Sequence, residues 1–149
     1  MARINDVARY ILEKLAPDPF GDRVTAWKLQ KLVYYCQAWS LVWDEKELFS
    51  EPIEAWADGP VCPELYYQHK GRLRLFAGDI EGEPSRLSED EAETVDAVIT
   101  HYGNKSGRYL SDLTHMERPW MEARGDTPPG VRSNAIIAHE SMVEYYGGL

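Results

Sequence analysis

The side chains that could carry chemistry are few and scattered along the 149-residue sequence. A metal site needs several ligands that converge at fixed distances, and the histidines show no HExxH or HxxxH spacing. They are His69, His101, His115 and His139. His115 and Glu117 are two residues apart, so they would not face the same way on a helix. The sequence therefore predicts no metal site.

General acid–base catalysis needs paired carboxylates in a cleft, and Asp58 and Glu64, near a predicted turn, are the candidates. Asp58 is more simply interpreted as a turn residue, and Glu64 as an acid in a helical first turn. Ser111 and His115 could share a helix face, but a triad needs a third group and an oxyanion site. No GxSxG, Walker or GxGxxG motif is present. We expect no catalytic residue, cofactor or enzymatic activity; an enzyme gathering Asp58, His115 and Glu117 is the least favoured hypothesis.

Aromatic side chains are more numerous than one small core obviously needs. The residues in question are Trp27, Trp43, Trp56, Tyr66, Tyr67 and Trp120. Trp and Tyr are enriched at interface hot spots, so such a surplus can mark a protein-binding surface. The alternative is that the rings pack loops onto helices, and the sequence favours neither. The candidate partner-binding residues are Trp27, Lys31, Tyr35, Trp43, Tyr66 and Tyr67.

One long amphipathic helix over Thr25–Trp43 is expected to position many of these residues. Thr25 can cap its start, and its apolar residues recur at steps of three and four, which places them on one face. The predicted inner face consists of Leu29, Leu32, Val33, Cys36, Trp39, Ser40 and Trp43. The adjoining face, either solvated or offered to a partner, carries Lys28, Lys31, Tyr35 and Ala38.

The sequence predicts one more helix before this central helix and a short extended stretch after it. A first helix is predicted from about Asp6 to Leu15, with Asn5 as its cap. The linker Pro17–Gly21 contains two prolines, and no helix can cross it. Beyond the central helix, Ile53–Ala57 is predicted to be extended and Asp58–Pro60 to form a turn.

Helices also dominate the prediction for the remaining chain. Pro63 suits the first turn of a helix that ends near Gly71. Arg72–Pro84 alternates basic and apolar residues before two glycines, which indicates a short strand or a hairpin. Ser88 and Glu91 form a capping box for a further helix.

The C-terminal third begins with a helix capped by Ser106, which Pro119 is expected to end within residues 115–118. A short turn at Trp120 and a loop follow, and Ser133 or Asn134 caps the last helix. The apolar side of that helix is predicted to contain Ile136, His139, Met142, Val143 and Tyr146. We interpret His139 as a core histidine, and we expect His115 to hydrogen-bond Glu117 or a backbone carbonyl.

Together these patterns predict a mainly α single domain over residues 1–149, with five to seven helices around one central helix and at most a small β element. A net charge of −9 argues against phosphate recognition and so against direct nucleic-acid binding. No apolar run approaches the roughly 20 residues that span a bilayer, and we expect a cytoplasmic location. Cys36 and Cys62 lack CxxC spacing, so no disulfide is expected.

Four ordered motifs resemble the Panacea domain of phage-associated proteins related to GepA and SocA. They are KLQKLVYYCQAW (Lys28–Trp39), EPIEAWADGPVCPELY (Glu51–Tyr66), YGNKSGRYLSDLTHMERPW (Tyr102–Trp120) and the AR-G segment (Ala123–Gly125). The motif residues to which we assign a structural role are Lys28, Gln30, Trp39, Trp56, Gly59, Pro60, Pro63, His115, Glu117, Pro119 and Trp120. Cys36 and Cys62 stand where small aliphatic residues are expected.

The resemblance implies an antitoxin of a two-gene toxin–antitoxin system, often carried on a prophage, that neutralises a co-encoded protein toxin by direct contact. It carries no catalytic residues to transfer. Many members have an additional terminal segment. We expect this chain to lack one, so that the domain itself contacts the partner. An adaptor that delivers its partner to a protease is the alternative. Neither the toxin, the binding surface nor the oligomeric state follows from the sequence.

Overall fold

A computed structural model describes residues 2–15 and 24–149. Its helices are α1 (Ile4–Lys14), α2 (Ala26–Trp43), α3 (Pro63–His69), α4 (Glu89–Tyr102), α5 (Gly107–His115), α6 (Arg118–Arg124) and α7 (His139–Gly147). Short strands are β1 (Val24–Thr25), β2 (Glu54–Trp56), β3 (Gly59–Val61) and β4 (Arg74–Leu75), and single 3-10 turns cover Ala77–Asp79 and Pro84–Arg86. The predicted mainly α class, with its helix count and small β element, is confirmed. The predicted linker Pro17–Gly21 lies outside the described residues.

The central helix α2 is buried on almost every side. Helices α1, α4, α5 and α7 and strand β3 all pack against it. The predicted cap is confirmed, because Thr25 Oγ1 accepts from the Lys28 N–H at 3.1 Å. The expectation of a solvated or partner-facing side was wrong for Lys31, Tyr35 and Ala38, which are buried. Lys28, the fourth residue of that side, is half-buried. Because neighbouring elements cover most of α2, a lysine and a tyrosine of its sequence lie in the interior.

The predicted inner face of α2 is correct except at its C-terminal end. Trp43 is 51% exposed, because the helix ends there and its ring stacks on Trp39 at 4.8 Å. Trp39 is half-buried, and its indole N–H donates to the Tyr102 hydroxyl at 3.0 Å. Ser40 is buried as predicted, so the predicted register is right up to that residue.

Strands β2 and β3 form an antiparallel hairpin that pairs Glu54 with Val61 and Trp56 with Gly59. Its turn begins at residue 57 and is one residue earlier than predicted, because Gly59 and Pro60 already belong to β3. The segment 135–137 adds a third extended stretch to β2 through Ala55 N–H to Ala135 O, at 2.8 Å. Of the two alternatives predicted for residues 72–84, the short strand is confirmed as β4 and the hairpin was wrong, because β4 pairs with β1 beside the start of α2.

Helix starts follow local hydrogen-bonding chemistry in most cases. Ser88 and Glu91 form the predicted capping box of α4, and Ser106 caps α5. Pro63 occupies the first turn of α3, and α5 ends at His115, as predicted.

The predicted starts of the first and last helices were wrong. Arg3, rather than Asn5, precedes α1, because the Asp6 carboxylate accepts from the Arg3 N–H at 2.9 Å. Helix α7 begins at His139, well after Ser133 and Asn134, because residues 135–137 bond to the hairpin instead.

The apolar side predicted for the last helix was also partly wrong. Ile136 is 61% exposed, Val143 is exposed, and His139 is a half-exposed residue near Glu47 instead of a core histidine. Met142 and Tyr146 are buried as predicted, and they fix α7 against the core.

Within the described ranges, no helix combines the length and the hydropathy needed to cross a bilayer. Cys36 and Cys62 are free and buried, and burial raises the pKa of the Cys62 thiol to about 11. Both thiols are therefore poor nucleophiles at neutral pH.

Candidate functional site

Gln30 joins the central helix to the start of α3. Its amide oxygen accepts from the Cys62 N–H at 2.9 Å, and its nitrogen donates to the Cys62 carbonyl at 3.3 Å. The same nitrogen lies 2.9 Å from His69 Nε2, which must therefore be the acceptor. Burial lowers the pKa of His69, which agrees with a neutral ring. Gln30 thus holds two segments in place and has no free polar group to offer a ligand.

Lys31 is a fully buried amine beneath the hairpin. Its Nζ donates to the Pro60 carbonyl at 3.0 Å and lies 5.4 Å from the centre of the Trp27 ring. Desolvation lowers the pKa of Lys31 to about 7, although the Asp58 carboxylate opposes that shift. Gly59 makes the approach possible, because a Cβ there would lie 2.7 Å from Lys31 Cε. A side chain at residue 59 would therefore force the Lys31 amine to move.

Glu117 is the buried carboxylate at the centre of a hydroxyl network. Tyr35 donates to its Oε1 at 2.6 Å, and Tyr146 donates to the same atom at 2.9 Å. The hydroxyls of Tyr34 and Tyr146 are 2.9 Å apart and extend the network. Desolvation raises the pKa of Glu117, while the two hydroxyl donors favour its charged form. Glu117 is occupied by internal bonds, as expected for a structural motif residue.

Arg124 fixes the loop after α6, and sequence reasoning did not single it out. Its guanidinium donates to the carbonyls of Ala55, Pro128 and Val131 at 3.1, 2.9 and 2.6 Å. The signal that could have found it was the AR-G segment, in which an arginine precedes a glycine with φ of 55°. Beside it, the Trp120 indole donates to the Trp56 carbonyl at 2.8 Å, so α6 and the hairpin are joined twice.

Ser111 and His115, the pair considered for a triad, form separate contacts. The Ser111 hydroxyl donates to the Asp58 backbone carbonyl, not to His115. His115 stacks on Trp120 at 4.2 Å, and its buried Nε2 has no hydrogen-bond partner, so the expected bond to Glu117 or a carbonyl was wrong for that nitrogen. Burial, followed by the Lys31 charge, lowers the pKa of His115. In the part of the chain that the structure describes, no three His, Cys, Asp or Glu side chains are grouped to hold a metal ion.

The remaining motif residues also bond within the fold. Lys28 Nζ donates to the Gly103 carbonyl at 2.5 Å and ties α2 to the end of α4. Pro119 is buried within the first turn of α6, which follows α5 directly. Lys28, Gln30 and Lys31 thus satisfy backbone carbonyls of segments that pack against α2.

A surface groove of about 650 Å³ lies beside the hairpin. Its lining residues are Trp27, Glu54, Trp56, Ala57, Asp58, Pro63, Tyr67, Arg132, Ser133 and Asn134. Trp27 and Trp56 are half-buried and Tyr67 is 73% exposed, so aromatic rings form much of the accessible wall. Glu54 and Asp58 add two carboxylates, and Arg132 adds one guanidinium.

A protein-family model described as Antitoxin SocA-like, Panacea domain matches residues 29–121. The chain belongs to this antitoxin family. Comparisons with curated proteins and with solved structures gave no match. The matched region begins within α2 and ends within α6.

Most of the buried polar residues described above lie within the region that the Panacea model matches. Gln30, Lys31, Tyr35, Gly59 and Glu117 all lie between residues 29 and 121. Arg124 and Tyr146 lie beyond it, as does Trp27 at the start of α2. The family resemblance in the sequence therefore corresponds to the interior that holds α2, the hairpin and α6 together.

The six partner-binding candidates of this Panacea domain divide into three groups. Lys31 and Tyr35 are buried, so neither is available to a surface partner. Trp43 is exposed at the end of α2, apart from the groove. Trp27 and Tyr67 line the groove, and half-buried Tyr66 packs edge-on against Trp56 at 5.1 Å.

Proposed function

We propose that this Panacea domain acts in the cytoplasm as the antitoxin of a two-gene system and neutralises a co-encoded toxin by direct protein–protein binding. The observation that carries the proposal is the family match over residues 29–121. A net charge of −9 adds support, since a toxin that acts on RNA would present a basic substrate site.

We propose further that the domain has no enzymatic activity of its own. The support is that Glu117 is committed to Tyr35 and Tyr146, while Ser111 bonds to a backbone carbonyl. An acid–base catalyst would need a carboxylate or imidazole within reach of a substrate. Glu117 is buried behind its hydroxyl donors, and the accessible carboxylates, Glu54 and Asp58, lie in a groove with no histidine among its described lining residues.

Co-expression with the product of the neighbouring open reading frame tests the antitoxin role. Growth arrest by that product alone, relieved when the Panacea domain is also produced, is the expected result. A neighbouring toxin that stays active with excess purified domain would contradict the proposal. Toxin half-life should be the same with and without the domain; a shortened half-life would favour a proteolytic adaptor.

The electrostatic part of the proposal has its own measurement. An acidic domain that meets a basic toxin surface should associate faster at low ionic strength than at high ionic strength. Stopped-flow association rates of the purified pair, measured across a salt series, provide the test. A rate that does not respond to salt would remove electrostatic steering while leaving direct binding in place.

A further inference from the structure

The groove beside the hairpin brings aromatic rings and carboxylates together at the surface. Trp27 comes from α2, Trp56 from β2 and Tyr67 from α3, so three separate elements contribute one ring each. Aromatic side chains at interfaces supply large contact areas with little loss of conformational entropy. Each of these rings retains solvent exposure, so each has a surface that a partner could reach.

The two groove carboxylates are placed by the hairpin. Glu54 Oε1 accepts from the Trp56 indole N–H at 2.8 Å, which fixes the carboxylate next to the ring. Asp58 lies in the hairpin turn, and the Ser111 hydroxyl holds its backbone carbonyl. Its carboxylate forms no ion pair within 4.0 Å among the described residues. An exposed, unpaired carboxylate beside held aromatic rings is suited to a cation that can also stack.

We propose that this groove binds an arginine side chain of the protein partner, with the guanidinium at Asp58 and Glu54 and the stem across the Trp27 and Trp56 rings. The inference rests on the proposed function, which supplies a protein as the partner. Arginine is favoured over lysine because its planar, weakly hydrated guanidinium can stack on indole and donate hydrogen bonds to two carboxylates. The net charge of −9 is complementary to such a partner.

Arg132 provides a further test of the proposal, because it brings a positive charge to the same groove. It is exposed and forms no ion pair within 4.0 Å in the described parts of the chain. Like charges repel in a site of reduced dielectric constant, so Arg132 opposes an incoming guanidinium. Replacing it by glutamine should therefore strengthen binding, whereas removing the Asp58 charge should weaken it.

The test uses the full chain and a blocked pentapeptide, acetyl-Gly-Gly-Arg-Gly-Gly-amide, followed by NMR. The expected result is a saturable shift of two indole N–H signals, assigned by Trp27→Phe and Trp56→Phe. The same peptide with citrulline in place of arginine has the same shape without the charge. It should bind at least about fivefold more weakly, a difference of roughly 1 kcal/mol. Equal binding of the two peptides would overturn the proposal.

Matched variants separate the groove from general surface charge. Asp58→Asn should weaken the arginine peptide by about fivefold, and Arg132→Gln should strengthen it. Glu93→Gln, at an exposed position on α4, removes the same charge elsewhere and should leave binding unchanged. Thermal melting of each variant shows whether the fold is retained. Equal weakening by Asp58→Asn and Glu93→Gln would indicate nonspecific attraction and overturn the proposal.

The groove and the antitoxin role fail in different ways. If wild-type protein neutralises the neighbouring toxin and folded Asp58→Asn and Trp27→Phe neutralise it equally well, the groove proposal is wrong and the antitoxin role stands. If the wild-type protein does not neutralise that toxin, the proposed function is wrong, whatever the peptide does. A third outcome also contradicts the groove proposal. In it, the groove variants still bind the arginine peptide as the wild type does but no longer neutralise the toxin.

Discussion

Tyr35 in α2 donates a 2.6 Å hydrogen bond to Oε1 of Glu117, although 82 residues separate the two along the chain. Tyr146 in α7 donates to the same oxygen at 2.9 Å. Three distant segments thus share one buried carboxylate. Because a carboxylate loses its hydration on burial, the two hydroxyl groups replace the water that Glu117 gives up.

Replacing Glu117 by alanine should lower the free energy of unfolding by roughly 2–4 kcal/mol. The physical reason is that Tyr35 loses its acceptor and Tyr146 keeps only its contact with Tyr34. Urea denaturation at neutral pH measures the change, and Glu93→Ala on the exposed side of α4 is the control. A Glu117→Ala protein that melts like the wild type but no longer neutralises the toxin would contradict the structural role and revive the enzyme hypothesis.

Replacing Lys31 by methionine should change how stability depends on pH. The pKa of Lys31 is about 7 in the folded protein and 10.5 when unperturbed, so between these values the unfolded chain binds more protons. Wild-type stability should therefore gain from rising pH across this window, by up to about 1.4 kcal/mol per pH unit from Lys31. Lys31→Met lacks this contribution, so its stability relative to the wild type should fall with rising pH.

Urea denaturation of wild type and Lys31→Met at about pH 7.5 and about pH 9.5 measures this difference, because other titrating groups are common to both proteins. If the two proteins keep a constant difference across the range, the Lys31 amine is not held near neutral in the fold.

Replacing Gly59 by alanine should destabilise the protein through two separate effects. Gly59 has φ of 123°, and an added Cβ would lie 2.7 Å from Lys31 Cε. Gly71→Ala is the matched control, because Gly71 has φ of 86° with nothing within 4 Å of the added carbon. We expect a loss of roughly 1–3 kcal/mol at Gly71 and a larger loss at Gly59. Equal losses would mean that contact with Lys31 contributes nothing.

Truncation of Leu32 to alanine should cost roughly 2–5 kcal/mol, through lost burial plus the cavity left behind. Leu32 is fully buried on the central helix, whereas Trp43 is 51% exposed at its end. Trp43→Ala should therefore change stability much less, although it removes the larger side chain. Thermal melting of both variants distinguishes this expectation from one in which side-chain size alone sets the loss.

Local patterns were enough to predict most helices of this protein. Thr25, Ser88 and Ser106 accept from backbone N–H groups three residues ahead, an interaction that lies within one turn and can be read directly. Pro63 was correctly placed in the first turn of α3, and Pro119 correctly marked the end of α5, because proline constrains the backbone wherever it occurs. Helix α6, which Pro119 opens, was predicted only as a short turn at Trp120. The family motifs can also be recognised from the order and spacing of their residues, without knowledge of the contacts between them.

Only the tertiary structure decided what encloses α2 and which polar residues are buried. Periodicity assigned Lys31 and Tyr35 to a side face, but partners far along the chain, Pro60 and Glu117, supply the bonds that make their burial possible. The same holds for residues 135–137, which a capping pattern assigned to a helix and which instead bond to β2. Caps and turns depend on neighbouring residues, whereas burial of a polar group depends on a partner whose distance in sequence is arbitrary.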